Sequence, residues 1–200
     1  MKILIASHNK EKINEIREIL AQTGIGVEII TIGETGIDVG TLPEPHDDYR
    51  KNSISKARFI FDLTEIPTLA EDSGLEVPAL NNEPGPYSSN YAKIHGEKDN
   101  IKFLLKRMEK ISSREAKFVC WLSFIPDKSK YYLFYGEMNG RISEEPRGCQ
   151  GFGYDPVFIP HGYKNTLGEL GSTIKNTISH RRKAIEKFCY FLLRSKMYSL

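Results

Sequence analysis

Apolar and polar positions at the start of the chain predict a strand followed by an amphipathic helix. Lys2 to Ser7 is a short β-prone run, and Asn9 is a residue type that caps the beginning of a helix. Apolar side chains then recur at the three- and four-residue spacing of one helix face, at Ile13, Ile16 and Leu20. The pattern therefore predicts a strand, a tight loop and a helix, in this order.

Further strands alternate with helices. A second strand is predicted at Val27 to Ile32, and a helix is predicted from about Tyr49 to Leu63, after a loop that contains glycine and proline. Pro67 to Glu71 has the composition of a buried strand. It runs into Asp72-Ser73-Gly74, where glycine permits a turn, and Leu75 to Ala79 then resumes extended structure.

The second half of the chain shows the same mixture. The stretch NNEPGPYSSNYA (81–92) is predicted to be a loop, and Asp99 to Lys110 an amphipathic helix. Lys117 to Ile125 and Lys130 to Gly136 have the pattern of a pair of strands.

The last predicted element is a C-terminal helix, which Ser179 is placed to cap and which runs to about Ser195. Strands and helices interleave along the whole chain, which predicts an α/β fold. Because no internal repeat, low-complexity tract or linker interrupts the sequence, residues 1–200 are predicted to form a single domain.

Composition and charge restrict the possible ligands. The 200 residues are 40% hydrophobic and 27% charged, with a formal net charge of only +2. A protein that coats a polyanion needs a much larger positive charge. Any bound anion is therefore expected to be small and held locally, and a stable nucleic acid partner is not expected.

Cysteine usage and hydropathy indicate the compartment. Three cysteines lie far apart and form no CxxC pair, which argues against a disulfide framework and against a thiolate metal site. The apolar run in MKILIASHNK is too short for the core of a signal peptide, and no later window has the apolar length that spans a bilayer. The protein is therefore expected in the reducing cytoplasm, without a membrane partner.

Four stretches contain the residue types that phosphate and metal chemistry requires, and the first follows the first strand. A hydroxyl, an amide and lysines lie at a helix N-terminus, where free backbone N–H groups and the helix dipole favour an anion. This predicts a docking place for a phosphate tail; the alternative is a capped helix with solvated lysines. Neither GxxxxGK[ST] nor GxGxxG occurs, so P-loop and dinucleotide-binding folds lose their main support. The stretch consists of Ser7, His8, Asn9, Lys10, Glu11 and Lys12.

The second stretch, Glu71-Asp72-Ser73-Gly74, places adjacent carboxylates at the end of a predicted strand. A carboxylate binds Mg²⁺ through oxygen or takes a proton from an attacking water, and Asp72 is well placed for either role. Glu44, in the acid-bearing loop before the second helix, is a candidate second metal ligand. The alternative is a polar turn after a buried strand, with Glu44 as an ordinary solvated acid.

The third stretch is Gly151 to Pro156, with the sequence GFGYDP. Its two glycines allow close backbone approach, and the rings of Phe152 and Tyr154 are suited to stacking on a planar base. The stretch therefore predicts either a base pocket or a tight turn that is filled by core aromatic side chains.

The fourth stretch combines Lys175 with Ser179-His180-Arg181. Lys175 is suited to binding phosphate as a point charge, and His180 and Arg181 at a helix start supply several N–H donors. Donors aimed at the O6 atom of a purine would discriminate between bases. The alternative is a basic, solvated helix end, and the five histidines show no zinc spacing.

These four stretches, in this order and at these intervals, resemble the inosine triphosphate pyrophosphatase family, also called the non-standard purine NTP pyrophosphatases. The resemblance runs from Ile3 to the C-terminal helix. It rests on an ASxNxxK start, on AEDSGLEVPALNNEPGPYS, on GFGYDPVF, and on the KxxxSHRxKA pattern that spans Lys175 to Ala184.

The resemblance implies an elongated, two-lobed α/β fold in which helices flank a central mixed β-sheet, with an active-site cleft between the lobes and a homodimeric assembly. It implies Mg²⁺-dependent hydrolysis of ITP, dITP and XTP to the monophosphate and pyrophosphate. Glu44 and Asp72 would hold Mg²⁺, Asp72 would also accept the proton of water, and Lys56 would act with it as a phosphate-binding catalytic residue. Ser7 to Lys12 would bind the triphosphate and sugar, and Ser73 would contact the substrate. The base pocket would consist of Phe152, Gly153, Tyr154, Asp155, Lys175, His180 and Arg181.

Two other functions stay open at this point. A Maf-type pyrophosphatase for other modified nucleotides would share the phosphate machinery but not the SHR-ending base pocket. A non-catalytic nucleotide- or RNA-binding module would use Phe152, Tyr154 and the basic C-terminal helix for stacking and phosphate contacts. Glu44 and Asp72 favour an enzyme, because a module that only binds polyanions has no need of acid beside its phosphates.

Overall fold

The structure is a computed structural model that describes residues 1–93 and 96–195. Its strands are β1 (Lys2–Ile5), β2 (Glu28–Thr31), β3 (Thr68–Val77), β4 (Glu83–Pro84), β5 (Glu115–Asp127), β6 (Lys130–Ile142) and β7 (Phe158–Pro160). Its helices are α1 (Lys10–Thr23), α2 (Tyr49–Thr64), α3 (Glu97–Arg107), α4 (Leu167–Ile178) and α5 (His180–Arg194). Short 3₁₀ helices occur at Ile32–Thr35, Pro78–Leu80, Gly85–Asn90 and Asp155–Val157. None of the helices in this part of the chain has the length and apolar character that crossing a membrane requires.

Hydrogen bonding joins the strands in the order β2-β1-β3-β5-β6-β7, and β4 pairs with β3. β1 is parallel to β2 and to β3, and its Leu4 lies opposite Ile30 and Thr68. The β3–β4 and β6–β7 pairs are antiparallel. A mixed sheet with flanking helices confirms the predicted α/β class.

The chain divides into two compact units. Unit 1 comprises Met1–Asp72, Cys120–Gly136 and the segment that begins at Arg181, and unit 2 comprises Ser73–Val119 and Glu137–His180. β3, β5 and β6 contribute residues to both units. The single domain over residues 1–200 and the cleft between lobes stay predictions.

In unit 1, both faces of β1 are covered by apolar side chains. Ile3 and Ile5 pack in one core cluster with side chains of α1 and α5, whereas Leu4 and Ala6 pack in a second cluster with side chains of α2. Successive side chains of a strand point to opposite faces of the sheet. Ile3, Leu4 and Ile5 are all apolar because helices cover both faces of this strand.

Helix α1 confirms the first sequence prediction. The Asn9 side chain accepts a hydrogen bond from Lys12 N over 2.9 Å, as an N-cap residue does. The predicted apolar face of Ile13, Ile16 and Leu20 is buried. Because cap and periodicity are local features, the sequence alone was sufficient for this element.

In unit 2, one apolar cluster joins the sheet to its helices. Leu75 of β3 and Phe158 of β7 pack there with Leu104 of α3 and Leu167 of α4. The predictions of β2, α2, α3, the β5–β6 pair and α5 are confirmed, with boundaries that shift by a few residues.

The predicted turn at Asp72-Ser73-Gly74 is wrong, because β3 continues through these residues to Val77. The strand pairs with β1 before this point, at Thr68 and Leu69, and with β4 after it, at Glu76 and Val77. Backbone hydrogen bonds to neighbouring strands outweigh the preference of these residue types for turns.

Other differences lie in the second half of the chain. The predicted loop at 81–92 contains β4 and a 3₁₀ helix, and β6 continues past Gly136 to Ile142. The sequence patterns predict neither β7 nor α4. Helix α4 has a capping box between Thr166 and Glu169, but Gly171 inside it has a positive φ of 76° and kinks it.

Candidate active site

The segment that connects β1 to α1 presents the first predicted site residues. Ser7 Oγ accepts a hydrogen bond from Asn9 N over 3.2 Å, and His8 Nε2 lies 2.7 Å from Gly40 O. Lys10 and Glu11 are exposed on the first turn of α1. The helix N-terminus and its side chains therefore have the character of an anion site, and their contacts with a phosphate stay predictions.

Glu71 is the centre of a buried charge network in unit 1. Its carboxylate lies 2.8 Å from Lys12 Nζ and 3.2 Å from a guanidinium nitrogen of Arg181. The Cys120 thiol donates to it over 3.2 Å, and Arg181 also pairs with Glu15. Two carboxylates and two cations neutralise one another here, which is the condition for burying charge.

Arg181 is 1% exposed. Its guanidinium donates to both carboxylate oxygens of Glu71, so the structure connects it through Glu71 to Lys12, a predicted phosphate-binding residue. The predicted contact between Arg181 and a base stays a prediction.

Lys56 of α2 lies between the two predicted metal ligands. Its Nζ is 2.5 Å from Glu44 Oε1 and 3.1 Å from Asp72 Oδ1. The side chains of Lys56 and Asp72 are 5% and 7% exposed, whereas that of Glu44 is 48% exposed. The structure thus brings together the three residues to which the resemblance assigns the metal and the catalytic step.

The pKa directions follow from this arrangement. Burial raises the pKa of the Asp72 carboxyl, and the neighbouring Lys56 offsets only part of this rise. Burial lowers the pKa of Lys56, but Asp72 and Glu44 raise it by more. For Glu71, burial raises the pKa, but Arg181 and Lys12 hold it well below its usual value. Asp72 shares its one contacting cation, Lys56, with Glu44, whereas Glu71 contacts both Lys12 and Arg181. Asp72 is therefore less stabilised as an anion than Glu71.

The group formed by Glu44, Lys56 and Asp72 fits a divalent cation by its donor chemistry. Carboxylate oxygens are preferred ligands of Mg²⁺, and the two carboxylates carry one more charge than Lys56 neutralises. Across residues 1–93 and 96–195, no group of three or more His, Cys, Asp or Glu residues is placed to hold a metal by itself. A Mg²⁺ ion here would complete its shell with waters and substrate phosphates, which is its usual mode of binding.

In unit 2, Asp155 holds two predicted base-pocket residues. Its Oδ2 accepts from Lys175 Nζ over 2.6 Å and from Phe152 N over 2.9 Å. The Lys175 ammonium also lies 4.2 Å from the centroid of the Phe152 ring. Gly151 and Gly153 have positive φ angles of 78° and 61°. Glycine adopts this backbone conformation readily, and the segment between them places Phe152 in contact with Asp155 and Lys175.

The remaining predicted base-pocket residues are buried. The Tyr154 ring packs in the apolar cluster of unit 2, and its hydroxyl donates to Ser88 O over 2.9 Å. The His180 ring stacks on Phe118 at 5.0 Å, and Ser73, in β3, is partly buried. Phe152 is partly buried, whereas Tyr154 is buried. The substrate contact of Ser73 and the base contacts of the other residues stay predictions.

Sequence reasoning did not assign roles to Glu71, Glu15 and Asn52. Asn52 is buried and donates to Asp72 Oδ2 over 3.1 Å. Glu15 lies four residues before Ile19 in α1 and so shares its buried face. A charged residue on an apolar helix face signals a buried partner, and this pattern was available in the sequence.

The chain is similar to known proteins over nearly its whole length. A family model described as the Ham1 family matches residues 3–191. A dITP/XTP pyrophosphatase of Aquifex aeolicus is 39% identical, over 96% of this chain and 96% of its own length. One of Porphyromonas gingivalis is 39% identical, over 98% of this chain and 99% of its own length.

Solved structures agree with this match. The Ham1 protein of Staphylococcus aureus superimposes with a TM-score of 0.86 at 35% identity, and the match covers 98% of this chain and 100% of that one. A HAM1 protein from Coxiella burnetii gives a TM-score of 0.87 at 35% identity, covering 96% and 98% of the two chains. These matches confirm the resemblance that the four motifs indicate. Because the family model and these relatives cover nearly the whole sequence, the chain belongs to the Ham1 family.

Proposed function

We propose that this protein hydrolyses the non-standard purine nucleoside triphosphates ITP, dITP and XTP to the monophosphate and pyrophosphate. The observation that carries the proposal is the buried Lys56 ammonium between the carboxylates of Asp72 and Glu44. The names of the relatives from Aquifex aeolicus and Porphyromonas gingivalis, dITP/XTP pyrophosphatase, support the same substrate class.

The chemistry requires charge compensation. Water attacks the α-phosphorus and pyrophosphate leaves, so negative charge concentrates on the transferring and leaving groups. Lys12 and Lys56 offset this charge as it develops. Asp72 orients the water or accepts its proton, and its raised pKa suits this role because a general base works best when its pKa approaches the working pH.

The reaction is proposed to depend on Mg²⁺. Glu44 and Asp72 would hold the ion, which when bound supplies positive charge against the phosphate oxygens.

Base selectivity follows from hydrogen bonding. A pocket that donates to the O6 atom of the base leaves its donors unpaired against the 6-amino group of adenine, and unpaired buried donors are strongly penalised. ATP is therefore a poor substrate. Guanine also carries O6, so rejection of GTP requires a group that opposes its 2-amino group by crowding or by a facing donor.

Pyrophosphate release from ITP, XTP, GTP and ATP, measured with Mg²⁺ and with chelator, tests the proposal. Mg²⁺-dependent release from ITP and XTP in preference to GTP and ATP is expected. Equal cleavage of GTP and ITP, or release from other modified nucleotides instead, would contradict the base pocket and favour a Maf-type activity. Binding of these nucleotides without any release would identify a non-catalytic nucleotide-binding module.

We further propose that the protein is a cytoplasmic homodimer. Sedimentation equilibrium of the purified protein should then give twice the chain mass of 22.8 kDa, and a mass of one chain would contradict it.

A further inference from the structure

Asn52 of α2 has every polar group of its side chain engaged. The residue is 2% exposed. Its Nδ2 donates to Asp72 Oδ2 over 3.1 Å and to His46 O over 2.8 Å, while its Oδ1 accepts from His46 N over 3.0 Å. Two N–H donors and one acceptor are thus used inside unit 1.

The first of these contacts acts on the orientation of Asp72. Lys56 donates to Asp72 Oδ1 over 3.1 Å, and Asn52 donates to Oδ2 over the same distance. Asn52 and Lys56 are four residues apart and therefore lie on one face of α2. Because rotation about the last side-chain bond of an aspartate is only loosely restricted, two donors on opposite oxygens define the plane of the carboxylate.

The other two contacts act on the segment that carries Glu44. Asn52 forms a two-point clamp on the backbone of His46, which lies two residues after Glu44. This stretch before α2 has no regular secondary structure, and Lys56 holds the Glu44 carboxylate over 2.5 Å. One amide therefore connects the backbone near Glu44 to the carboxylate of Asp72.

We propose that Asn52 is a positioning residue for this site: it orients the Asp72 carboxylate and holds the Glu44 segment so that both carboxylates face Lys56. The inference rests on the proposed pyrophosphatase function. The positioning role requires an amide at position 52. An aspartate there would present an oxygen to Asp72 in place of the N–H donor and would add a like charge beside it.

Two variants separate this role from a purely structural one. Asn52→Asp keeps the size of the side chain and an acceptor for His46 N but repels Asp72, whereas Asn52→Ala removes the clamp without adding charge. Positioning of Asp72 therefore predicts a lower kcat for Asn52→Asp than for Asn52→Ala. A clamp that acts only on His46 predicts the reverse order.

Ser123→Ala is the matched control. Ser123 is fully buried in β5, and its Oγ donates over 2.7 Å to the carbonyl of Ser53, the residue next to Asn52 in α2. The substitution removes a buried hydrogen bond on the same helix and leaves the three contacts of Asn52 in place. It controls for loss of stability.

The experiment measures kcat and KM for ITP well below the unfolding transition of each variant, and urea unfolding in buffer without metal or nucleotide. We expect kcat to fall about 10- to 100-fold in Asn52→Asp, and less in Asn52→Ala, with KM within about twofold of wild type. Ser123→Ala is expected to lose stability and keep its kcat.

Normal kcat in both Asn52 variants, or a lower kcat in Asn52→Ala than in Asn52→Asp, would overturn the inference. If Asn52→Asp does not fold, the kcat of Asn52→Ala decides: a clear loss beside an unchanged Ser123→Ala supports positioning, and a wild-type value refutes it. A wild-type protein that releases no pyrophosphate would refute the proposed function itself, whereas an active wild type with fully active variants would refute only the role of Asn52.

Discussion

Replacing Arg181 with methionine is expected to destabilise the protein strongly. Methionine fills much of the space but removes the guanidinium from Glu71 and Glu15. Arg181 is 1% exposed and donates to both oxygens of Glu71. Removing one partner of a buried ion pair costs about 3–5 kcal/mol, because the remaining charge stays buried without its counter-charge. Glu71 keeps Lys12 at 2.8 Å, which places the expected loss at the lower end, about 3 kcal/mol.

Urea unfolding followed by fluorescence measures this loss. Trp121 is the single tryptophan of the chain and lies in unit 1, where its ring is 5.0 Å from that of Tyr135. With a urea m-value of about 1–3 kcal/mol/M for a small protein, a loss of about 3 kcal/mol lowers the midpoint by about 1–3 M.

Arg182→Met is the matched control for this prediction. Arg182 pairs over 2.7 Å with Glu186, and the two side chains are 18% and 51% exposed. Pairs that solvent reaches contribute about 0–1 kcal/mol, because solvent screens them. The reasoning is refuted if Arg181→Met loses no more stability than Arg182→Met, since burial would then add nothing to the cost.

Three further predictions concern pH, chemistry and the base-pocket segment. The folded-state pKa of Glu71 lies well below its usual value of 4.5. The stability that the Glu71 carboxylate contributes to the fold is therefore complete above pH 4.5 and is lost as the pH falls through the folded-state pKa. Urea midpoints should fall less steeply with acid in Glu71→Gln than in wild type, and parallel profiles would argue against this. Asp72→Asn should lower kcat for ITP by a large factor with an unchanged circular dichroism spectrum, and near-normal turnover would contradict the assignment of Asp72. Gly151→Ala should raise KM for ITP more than Gly153→Ala does. Both glycines have a positive φ, but an added Cβ would overlap Asp155 Oδ2 only at Gly151. Equal KM values would count against a role of this segment in binding.

The elements that the sequence predicted well are those with local causes. Helix α1 begins where Asn9 caps it and continues as long as apolar residues recur on one face. Strand β1 is similarly evident from the three consecutive apolar residues Ile3, Leu4 and Ile5. In such segments each residue favours the same secondary structure as its neighbours along the chain, so distant contacts are not needed to determine that structure.

The errors occur where distant contacts decide. Asp72-Ser73-Gly74 has turn chemistry, but pairing with strands on either side of this point keeps β3 extended. Helix α4 contains two glycines that lower its intrinsic helix propensity. An added Cβ at Gly168 would approach the backbone of Arg147 and Pro156, so close packing that is invisible in the local sequence explains the glycine there.

The residue types and spacings of the sequence by themselves determined the α/β class, the capped start of α1 and, through family resemblance, the grouping of Lys56, Asp72 and Glu44. Only the tertiary structure decided which charges neutralise one another. Glu15 and Arg181 are separated by 166 positions in the chain and meet in one buried ion pair. Asn52 and Asp72, 20 positions apart, meet because α2 packs beside β3. A charge or amide in the sequence shows the capacity to donate or accept, but burial and direction arise from packing, and these determine which partner it has.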